Sequence, residues 1–255
     1  MEPILELKNI NYSYHTLDGE TKALSDISFT LEPGSFTAVV GPSGCGKSTL
    51  LSLIAGLMRP ESGQILLAGK PLSDNHENIG YMLQHDHLFE WRTVYRNVLL
   101  GLEIRGKVDA ASRRKANELL AQYGLKHFAA SRPSELSGGM RQRAALIRTL
   151  ILDPELLLLD EPFSALDYQT RLKVSDDIGQ IIRNSGKTAL LVTHDLSEAV
   201  SLSDRVIVLT RRPASIACVV PVSFHLENDT PLNRRNAPEF KTFFNKIWKE
   251  LNQDD

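Results

Sequence analysis

A glycine-rich segment, GPSGCGKS at residues 41–48, places the tightest constraint on how this chain can fold. It matches the pattern G-x-x-x-x-G-K-[ST] and lies between SFTAVV, which is typical of a strand, and LLSLIAGL, which is typical of a helix. A glycine-rich turn without a ligand is the alternative, and the strand–loop–helix context argues against it. Glycines let successive backbone N–H groups surround phosphate oxygens at the N-terminus of a helix. We therefore predict a phosphate-binding loop here.

Individual side chains within this loop are expected to have separate roles. Lys47 would reach the β- and γ-phosphates of a nucleotide, and the Ser48 hydroxyl would bind Mg²⁺. Cys45 is expected to be a small loop residue, although the neighbouring Lys47 could lower the pKa of its thiol. The nucleotide-binding residues predicted for the segment are Gly41, Pro42, Ser43, Gly44, Cys45, Gly46, Lys47, Ser48 and Thr49.

The composition is that of an ordinary folded protein, and it argues against several classes of partner. Hydrophobic residues make up 42% of the 255 residues and charged residues 24%, which is enough for a full core. The 29 basic and 31 acidic residues give a formal net charge of −2, so charge does not favour nucleic-acid binding. The 2 cysteines cannot build a disulfide framework, which favours a reducing compartment.

The sequence predicts neither a secretion signal nor a membrane-spanning helix. The segment MEPILELKNI lacks the basic start and long apolar run of a signal peptide. No apolar segment approaches the ~20 residues that a membrane-spanning helix needs. Any function at a membrane is therefore expected to act through a partner protein.

Alternating strand and helix patterns predict an α/β fold with a largely parallel sheet. Strand patterns occur at residues 27–34, 35–40, 64–68, 78–83, 156–160, 188–194, 205–210 and 216–222. Residues 174–186 predict a helix that ends at a glycine. Residues from about 85 to 153 are charged and lack strand alternation, so we predict a helical insertion there. Residues at helical spacing near the end predict an amphipathic helix that packs on the core: Phe240, Phe243, Phe244, Ile247, Trp248 and Leu251.

Polar side chains at the carboxyl ends of predicted strands form a candidate catalytic group. LLLLDEP ends with Asp160 and Glu161, and further strands end at Gln84 and at the histidine of THD. We predict that Asp160 binds Mg²⁺, directly or through water, and that Glu161 orients and deprotonates a water. Gln84 would contact both the Mg²⁺ and that water, and His194 would contact the γ-phosphate. An acidic turn and a structural histidine are the alternatives, which the nearby phosphate loop disfavours.

The segment LSGGMRQR, residues 136–143, combines two glycines at a helix start with no reactive group. Ser137 is a good N-cap for a helix through MRQRAALIRTLI, and a simple capped helix is one interpretation. A serine cap beside exposed backbone N–H groups also makes an anion site. Because the chain already has a phosphate loop, a second one is either redundant or serves a different ATP.

The order of these motifs resembles that of the ATP-binding-cassette (ABC) ATPases over roughly residues 4–225. The matching segments are GPSGCGKST, Gln84, LSGGMRQR, LLLLDEP, SALD at 164–167 and His194. The resemblance implies a P-loop NTPase core with a mostly parallel sheet, an antiparallel β subdomain and an inserted helical subdomain. It also implies the binding and hydrolysis of ATP, with Mg²⁺ as cofactor.

In that family, two domains dimerise head to tail, with each ATP between the phosphate loop of one copy and the LSGG segment of the other. The residues implied to contact the γ-phosphate from the opposite subunit are Ser137, Gly138 and Gly139, with Gln142 alongside. Asp167 of SALD would communicate across that interface. Tyr14 matches the aromatic residue that stacks on adenine, and Tyr12 is the alternative.

Two longer segments, LFEWRTVYRNVLLGLEIRG and RNAPEFKTFFNKIWKELN, resemble the nitrate/sulfonate/taurine-type importer ATPases. Glu90 departs from that pattern, since a proline usually precedes the tryptophan. The resemblance implies an ABC ATPase domain at 1–225, with a helical subdomain at about 85–153, and a C-terminal helix at 226–255. The loop after Gln84 would dock on integral membrane permease subunits at the cytoplasmic face of the cell membrane. A substrate-binding protein would be an indirect partner.

Other functions within the same family are alternatives. Importers of thiamine-pyrimidine precursors or of riboflavin share the same ATPase pattern, so the cargo stays open. An exporter ATPase is a further alternative. A soluble ABC protein of DNA repair or translation would need a long coiled-coil insertion or a second cassette, and neither pattern fits this sequence. No residue of the chain is expected to contact the transported molecule.

Overall fold

The computed structural model describes residues 2–17, 19–74 and 76–252. Within these ranges the strands are β1 (Leu5–Thr16), β2 (Gly19–Leu31), β3 (Phe36–Val40), β4 (Ser62–Leu67), β5 (Lys70–Pro71), β6 (Ile79–Met82), β7 (Leu156–Asp160), β8 (Thr188–Val192), β9 (Arg205–Leu209) and β10 (Ile216–Pro221). The helices are α1 (Lys47–Ile54), α2 (Val94–Ile104), α3 (Ala110–Gln122), α4 (Gly138–Leu150), α5 (Tyr168–Asn184), α6 (Leu196–Leu202), α7 (Pro231–Asn236) and α8 (Pro238–Leu251). Among the helices described, none is both long and apolar enough to cross a membrane.

Six strands form the main sheet, in the order β10-β9-β3-β8-β7-β6. The five strands from β9 to β6 in this order run parallel to one another. The edge strand β10 runs antiparallel to β9. Successive side chains of a strand point to opposite faces, so Leu157 and Leu159 of β7 enter one core while Leu156 and Leu158 enter another. Burial on both faces explains the continuous apolar sequence of β7. The predicted α/β fold with a largely parallel sheet is confirmed.

A second sheet is antiparallel and has the strand order β2-β1-β4-β5. Its buried residues, among them Leu5 and Leu31, pack with α1 and with one face of the main sheet. The antiparallel β layer that the resemblance implied is therefore present. Strand β1 was not predicted, because its apolar alternation is interrupted near Asn9 and Asn11, where the pairing with both neighbours shifts register.

Helices α2, α3 and α4 form a third core beside the main sheet. Residues 85–153 are all described, and none of them lies in a strand, as predicted. Val98 of α2, Leu120 of α3 and Ile147 of α4 are buried together. The opposite face of α4 packs on the main core through Leu146 and Leu150. Helix α4 therefore joins the helical segment to the sheet, and a separate subdomain with the bounds given above stays a prediction.

The C-terminal helix α8 packs on the main core through one face. Ile247 is fully buried, and four partly buried neighbours pack against the same core: Phe240, Phe243, Phe244 and Leu251. The predicted core-packing helix is confirmed for these residues. The prediction was wrong for Trp248, which is 57% exposed and stacks on the Phe244 ring at 6.4 Å. Trp248 lies at the edge of the apolar stripe, where a long side chain points into solvent.

Candidate functional site

The phosphate loop joins β3 to α1, as the sequence predicted. Lys47 is buried, and its Nζ donates hydrogen bonds to the carbonyl oxygens of Gly41 at 2.8 Å and Pro42 at 2.9 Å. Gly46 precedes the helix at φ +123°, and a Cβ atom there would lie 2.9 Å from Leu24 Cδ2. Since an L side chain would both strain the backbone and collide with Leu24, glycine is required at this position. The loop thus holds its ammonium group against its own backbone.

Cys45 is an interior residue of the loop. Its side chain is 1% exposed, and burial raises the pKa of the thiol, although Lys47 acts in the opposite direction. Lys47 acts to lower this pKa, as expected, but the net shift of the pKa is upward because desolvation disfavours a buried thiolate. Cys45 is a packing residue in this geometry.

Tyr14 and Tyr12, the two candidates for adenine stacking, differ in their surroundings. The Tyr14 hydroxyl lies 2.8 Å from Thr49 Oγ1 in α1, and its ring is 38% exposed. The Arg212 guanidinium lies 5.8 Å from the centre of the Tyr14 ring. Tyr12 instead packs against the core beneath the second sheet and meets Tyr14 edge-on. Tyr14 is thus the tyrosine that borders the phosphate loop, and its stacking on adenine stays a prediction.

Two of the predicted magnesium ligands, Ser48 and Asp160, lie in contact with each other. Ser48 Oγ lies 3.4 Å from Asp160 Oδ1, and the Tyr81 hydroxyl donates to Asp160 Oδ2 at 3.3 Å. Burial raises the pKa of Asp160, and burial also raises the pKa of Tyr81. Sequence reasoning missed Tyr81, which lies one residue before the end of β6. Hydroxyl, carboxylate and carboxamide oxygens are the hard ligands that Mg²⁺ prefers, so Ser48, Asp160 and Gln84 fit the ion.

Glu161 and His194 form a close pair at the ends of neighbouring parallel strands. His194 Nδ1 lies 3.1 Å from Glu161 Oε2, and the two side chains are 58% and 22% exposed, respectively. The Glu161 backbone has φ +43°, while its N–H donates to the Val192 carbonyl at 2.9 Å. A left-handed non-glycine residue costs about 1–3 kcal/mol and persists only where its surroundings fix it. No residue pattern in the sequence predicts this left-handed conformation of Glu161.

A single cleft of about 650 Å³ collects most of the predicted catalytic and phosphate-binding residues. Its lining residues are Ser43, Gly44, Gly46, Lys47, Ser48, Thr49, Gln84, Asp160, Glu161 and His194. Gln84 lies beside the acidic turn, because its Nε2 donates to Ser164 Oγ at 3.3 Å. Ser137 and Asp167 are not among the described residues that line this cleft. The cleft therefore brings together the phosphate loop and the strand ends, and it leaves the LSGG segment outside.

Ser137 caps helix α4, as predicted. Its side chain is exposed and accepts a hydrogen bond from the Met140 N–H at 3.4 Å. The two glycines that follow have packing roles that the sequence did not reveal. A Cβ atom on Gly138 would lie 2.9 Å from Leu166 Cδ2, and one on Gly139 would lie 2.6 Å from Val174 Cγ2. The glycines therefore let the start of α4 contact the SALD turn and α5.

Gln142 and Asp167 have clear local surroundings. The Gln142 side chain is 3% exposed, and its Oε1 has no hydrogen-bond partner. The predicted place of Gln142 alongside a γ-phosphate stays a prediction. Asp167 is exposed, and its Oδ1 accepts the Thr170 N–H at 3.1 Å as the N-cap of α5. This cap explains why α5 begins six residues before the helix predicted at 174–186.

Comparison with known proteins places this chain in a family. The sequence pattern of the family described as "ABC transporter" matches residues 24–164. The chain is 45% identical to the uncharacterized ABC transporter ATP-binding protein YtlC of Bacillus subtilis, over 97% of this chain and 95% of the relative. It is 41% identical to the aliphatic sulfonates import ATP-binding protein SsuB of Bacillus licheniformis, over 91% of this chain and 88% of the relative. It is 39% identical to the nitrate import ATP-binding protein NrtD of Synechocystis, over 95% of this chain and 93% of the relative.

A solved structure has the same fold. It is the dimeric structure of a post-hydrolysis state of the ATP-binding cassette MJ0796 bound to ADP and Pi. The two chains superpose with a TM-score of 0.71 and 29% identity, over 87% of this chain and 100% of that chain. The chain therefore belongs to the ABC transporter family, as one of its ATP-binding ATPases.

Proposed function

We propose that this chain is the ATP-hydrolysing subunit of an ABC importer, which drives uptake of a small nitrate-, sulfonate- or taurine-like solute through separate membrane subunits. The observation that carries the proposal is the shared cleft of the phosphate loop and the Glu161–His194 pair. The names of the sulfonate and nitrate relatives support the direction of transport and the class of cargo.

Each side chain of the cleft has a role in this proposal. Lys47 and the loop N–H groups bind the phosphates, and the Glu161 carboxylate accepts a proton from the attacking water. His194 holds that carboxylate in place and contacts the γ-phosphate. Ser48, Asp160 and Gln84 hold Mg²⁺, which when bound neutralises charge on the phosphate oxygens.

The active form in this proposal is a head-to-tail homodimer. Support comes from the exposed Ser137 and from the cleft, whose lining within the described part of the chain lacks the LSGG segment. In a dimer with two-fold symmetry, Ser137 of one copy meets the phosphate loop of the other, and the same contact recurs at the second site.

Substituting Lys47 by alanine is expected to weaken ATP binding by about tenfold or more, because a hydrogen bond to a charged group contributes about 1.5–3 kcal/mol. Equilibrium titration of the purified chain with fluorescently labelled ATP measures this loss. Lys8→Ala serves as the control, since Lys8 is an exposed residue that pairs with Glu6. An unchanged Kd for Lys47→Ala would contradict the proposed role of the loop.

The surface proposed to meet the permease lies after Gln84. Phe89 and Trp91 stack with ring centroids 4.6 Å apart, and Trp91 is 72% exposed. The buried Asn97 fixes this turn, because it accepts from the Phe89 N–H at 2.7 Å and donates to the Phe89 carbonyl at 3.1 Å. Arg148 of α4 donates to the Asp86 carbonyl at 2.7 Å. A rigid, exposed aromatic pair of this kind is typical of the anchor of a protein interface.

Trp91→Ala is expected to weaken capture of the permease by roughly thirtyfold, since an aromatic anchor contributes about 2 kcal/mol or more to an interface. The control is Trp248→Ala, because Trp248 is the other tryptophan of the chain and is also exposed. Both variants and the parent are tagged and recovered from detergent-solubilised membranes. Equal recovery of permease by the two variants would exclude Trp91 from the interface.

The cargo is tested through the partners of the chain. The tagged protein is purified from native membranes, the accompanying permease is identified, and its substrate-binding protein is titrated with nitrate, taurine and alkyl sulfonates by calorimetry. Binding of one of these anions supports the proposed class. Recovery with ribosomes or DNA in place of an integral membrane protein would overturn the importer function.

A further inference from the structure

Arg171 connects two segments of the site that are far apart in sequence. It lies in the first turn of α5, four residues after Asp167. Its Nη2 donates to the carbonyl oxygen of Leu166 at 3.1 Å, and its Nη1 lies 3.6 Å from Asp195 Oδ2. Leu166 belongs to the SALD turn, and Asp195 directly follows His194. One planar guanidinium group therefore spans from the SALD turn to the histidine segment.

The histidine segment is held firmly on its other side. The Thr193 hydroxyl donates to Glu198 Oε2 at 2.7 Å and accepts the Asp195 N–H at 3.0 Å. Thr193 and Glu198 are 1% and 4% exposed, respectively. Asp195 uses its Oδ1 to cap α6, where it accepts the Ser197 N–H at 2.7 Å. Because these contacts tie Asp195 to α6, its Oδ2 is the oxygen that faces Arg171.

One polar atom of the Arg171 side chain, Nε, forms no hydrogen bond although it is buried. A buried donor without a partner lowers stability, and an apolar side chain of similar length would often pack there with equal or better stability. The two Nη contacts are therefore what distinguishes arginine from methionine at this position. A lysine could not reproduce them, since its single ammonium group lacks the fork of the guanidinium.

We propose that Arg171 is a positioning residue that couples the SALD turn to His194 of the same subunit, and so to the Glu161–His194 pair. This inference rests on the proposed ATPase site. A displacement of the SALD turn, which α4 of the same chain contacts through Gly138, moves Leu166 and with it the guanidinium. Asp195 then shifts together with the start of α6, to which it is tied, and His194 changes its distance to Glu161. Nucleotide binding to the phosphate loop of the monomer does not depend on this connection.

The test compares two arginines of the same helix. Arg183 has the same pattern as Arg171: its Nη1 pairs with Asp204 Oδ1 at 3.0 Å, its Nη2 donates to the Leu202 carbonyl at 2.8 Å, and its Nε is buried without a partner. The two side chains are also equally exposed, at 25% and 26%. Asp195 is the sequence neighbour of the cleft residue His194, whereas Asp204 and Leu202 have no sequence neighbour in the cleft, so Arg183→Met is the matched control for Arg171→Met.

Arg171→Met is expected to lower kcat for ATP hydrolysis about tenfold, within the usual range of coupling between sites. Its Kd for ATP in the monomer and its Tm should stay close to those of the parent. Arg183→Met should leave kcat within about twofold, since sites remote from such networks act independently. Arg171→Lys keeps the charge and loses the forked guanidinium. Its kcat is expected to be closer to that of Arg171→Met than to that of the parent.

Two results would overturn the inference. One is an Arg171→Met variant with the kcat of the parent, and the other is an equal loss of kcat in both methionine variants, which would reflect α5 as a whole. If both variants unfold, Arg171→Lys against Arg183→Lys gives the same comparison with charge retained. A parent protein that hydrolyses no ATP would instead contradict the proposed function, so the two failures are distinguishable.

Discussion

Glu161→Gln is expected to keep ATP bound while hydrolysis falls by about 10²–10⁴-fold, the usual contribution of a positioned general base. This loss corresponds to about 2.7–5.4 kcal/mol of activation free energy. The amide has nearly the same shape as the carboxylate and can still meet His194 Nδ1, which lies 3.1 Å from Glu161 Oε2. It cannot accept a proton from water. Phosphate release under saturating ATP measures kcat, and titration with labelled ATP measures binding.

The chain offers a control on the same strand. Glu155 immediately precedes β7 and Glu161 immediately follows it, so Glu155→Gln makes the same chemical change at the opposite end. Glu155 is exposed and lies near Asn78, away from the cleft. We expect Glu155→Gln to hydrolyse ATP at the parent rate. Near-normal turnover in Glu161→Gln would show that another group takes the proton.

Ser137→Arg is expected to abolish hydrolysis and to spare ATP binding by the monomer. The phosphate loop of the same chain is untouched, because Ser137 lies outside its cleft in the described structure. In a head-to-tail dimer the long cationic side chain would occupy the place of the γ-phosphate held by the other subunit. The variant also loses a helix cap, which costs about 1 kcal/mol of stability. Asp109→Arg removes the exposed cap of α3 and controls for that loss.

Mixing Ser137→Arg with Lys47→Ala gives a decisive test of the shared site. At an ATP concentration well below the Kd of Lys47→Ala, each variant alone is expected to hydrolyse little ATP, but a mixed dimer contains one site with an intact Lys47 from one subunit and an intact Ser137 from the other. In an equal mixture about half of the dimers are mixed, and each mixed dimer has one intact site of its two. The mixture should therefore reach up to about one quarter of the parent activity. An inactive mixture, or a Ser137→Arg protein that hydrolyses ATP normally alone, would refute the composite site.

Many residues of the cleft were predictable because their signals are local. The phosphate loop carries its pattern within eight residues, GPSGCGKS, and the neighbouring apolar segments identify its strand and helix. Asp160, Glu161 and His194 follow buried parallel strands, and the carboxyl ends of such strands meet at one edge of a sheet. The Ser137 cap was likewise predictable from a serine before a helical pattern.

Other features depend on which residues meet in space. Tyr81 contacts Asp160 only because β6 lies beside β7, and no spacing in the sequence indicates that pairing. The burial of Gln142 follows from the way α4 lies between two cores. The packing role of the two LSGG glycines could not be predicted either, because Leu166 and Val174 are distant from them in the chain.

The sequence by itself determined the local features of the predicted site: the expected phosphate loop, the carboxylates at the end of β7 and the capped start of α4. It did so because each depends on backbone conformation and residue type within one short segment. The tertiary structure decided the left-handed conformation of Glu161, its contact with His194 and the Arg171 connection to the SALD turn. These depend on strand order and helix packing, whose free energy comes from contacts between residues far apart in the chain.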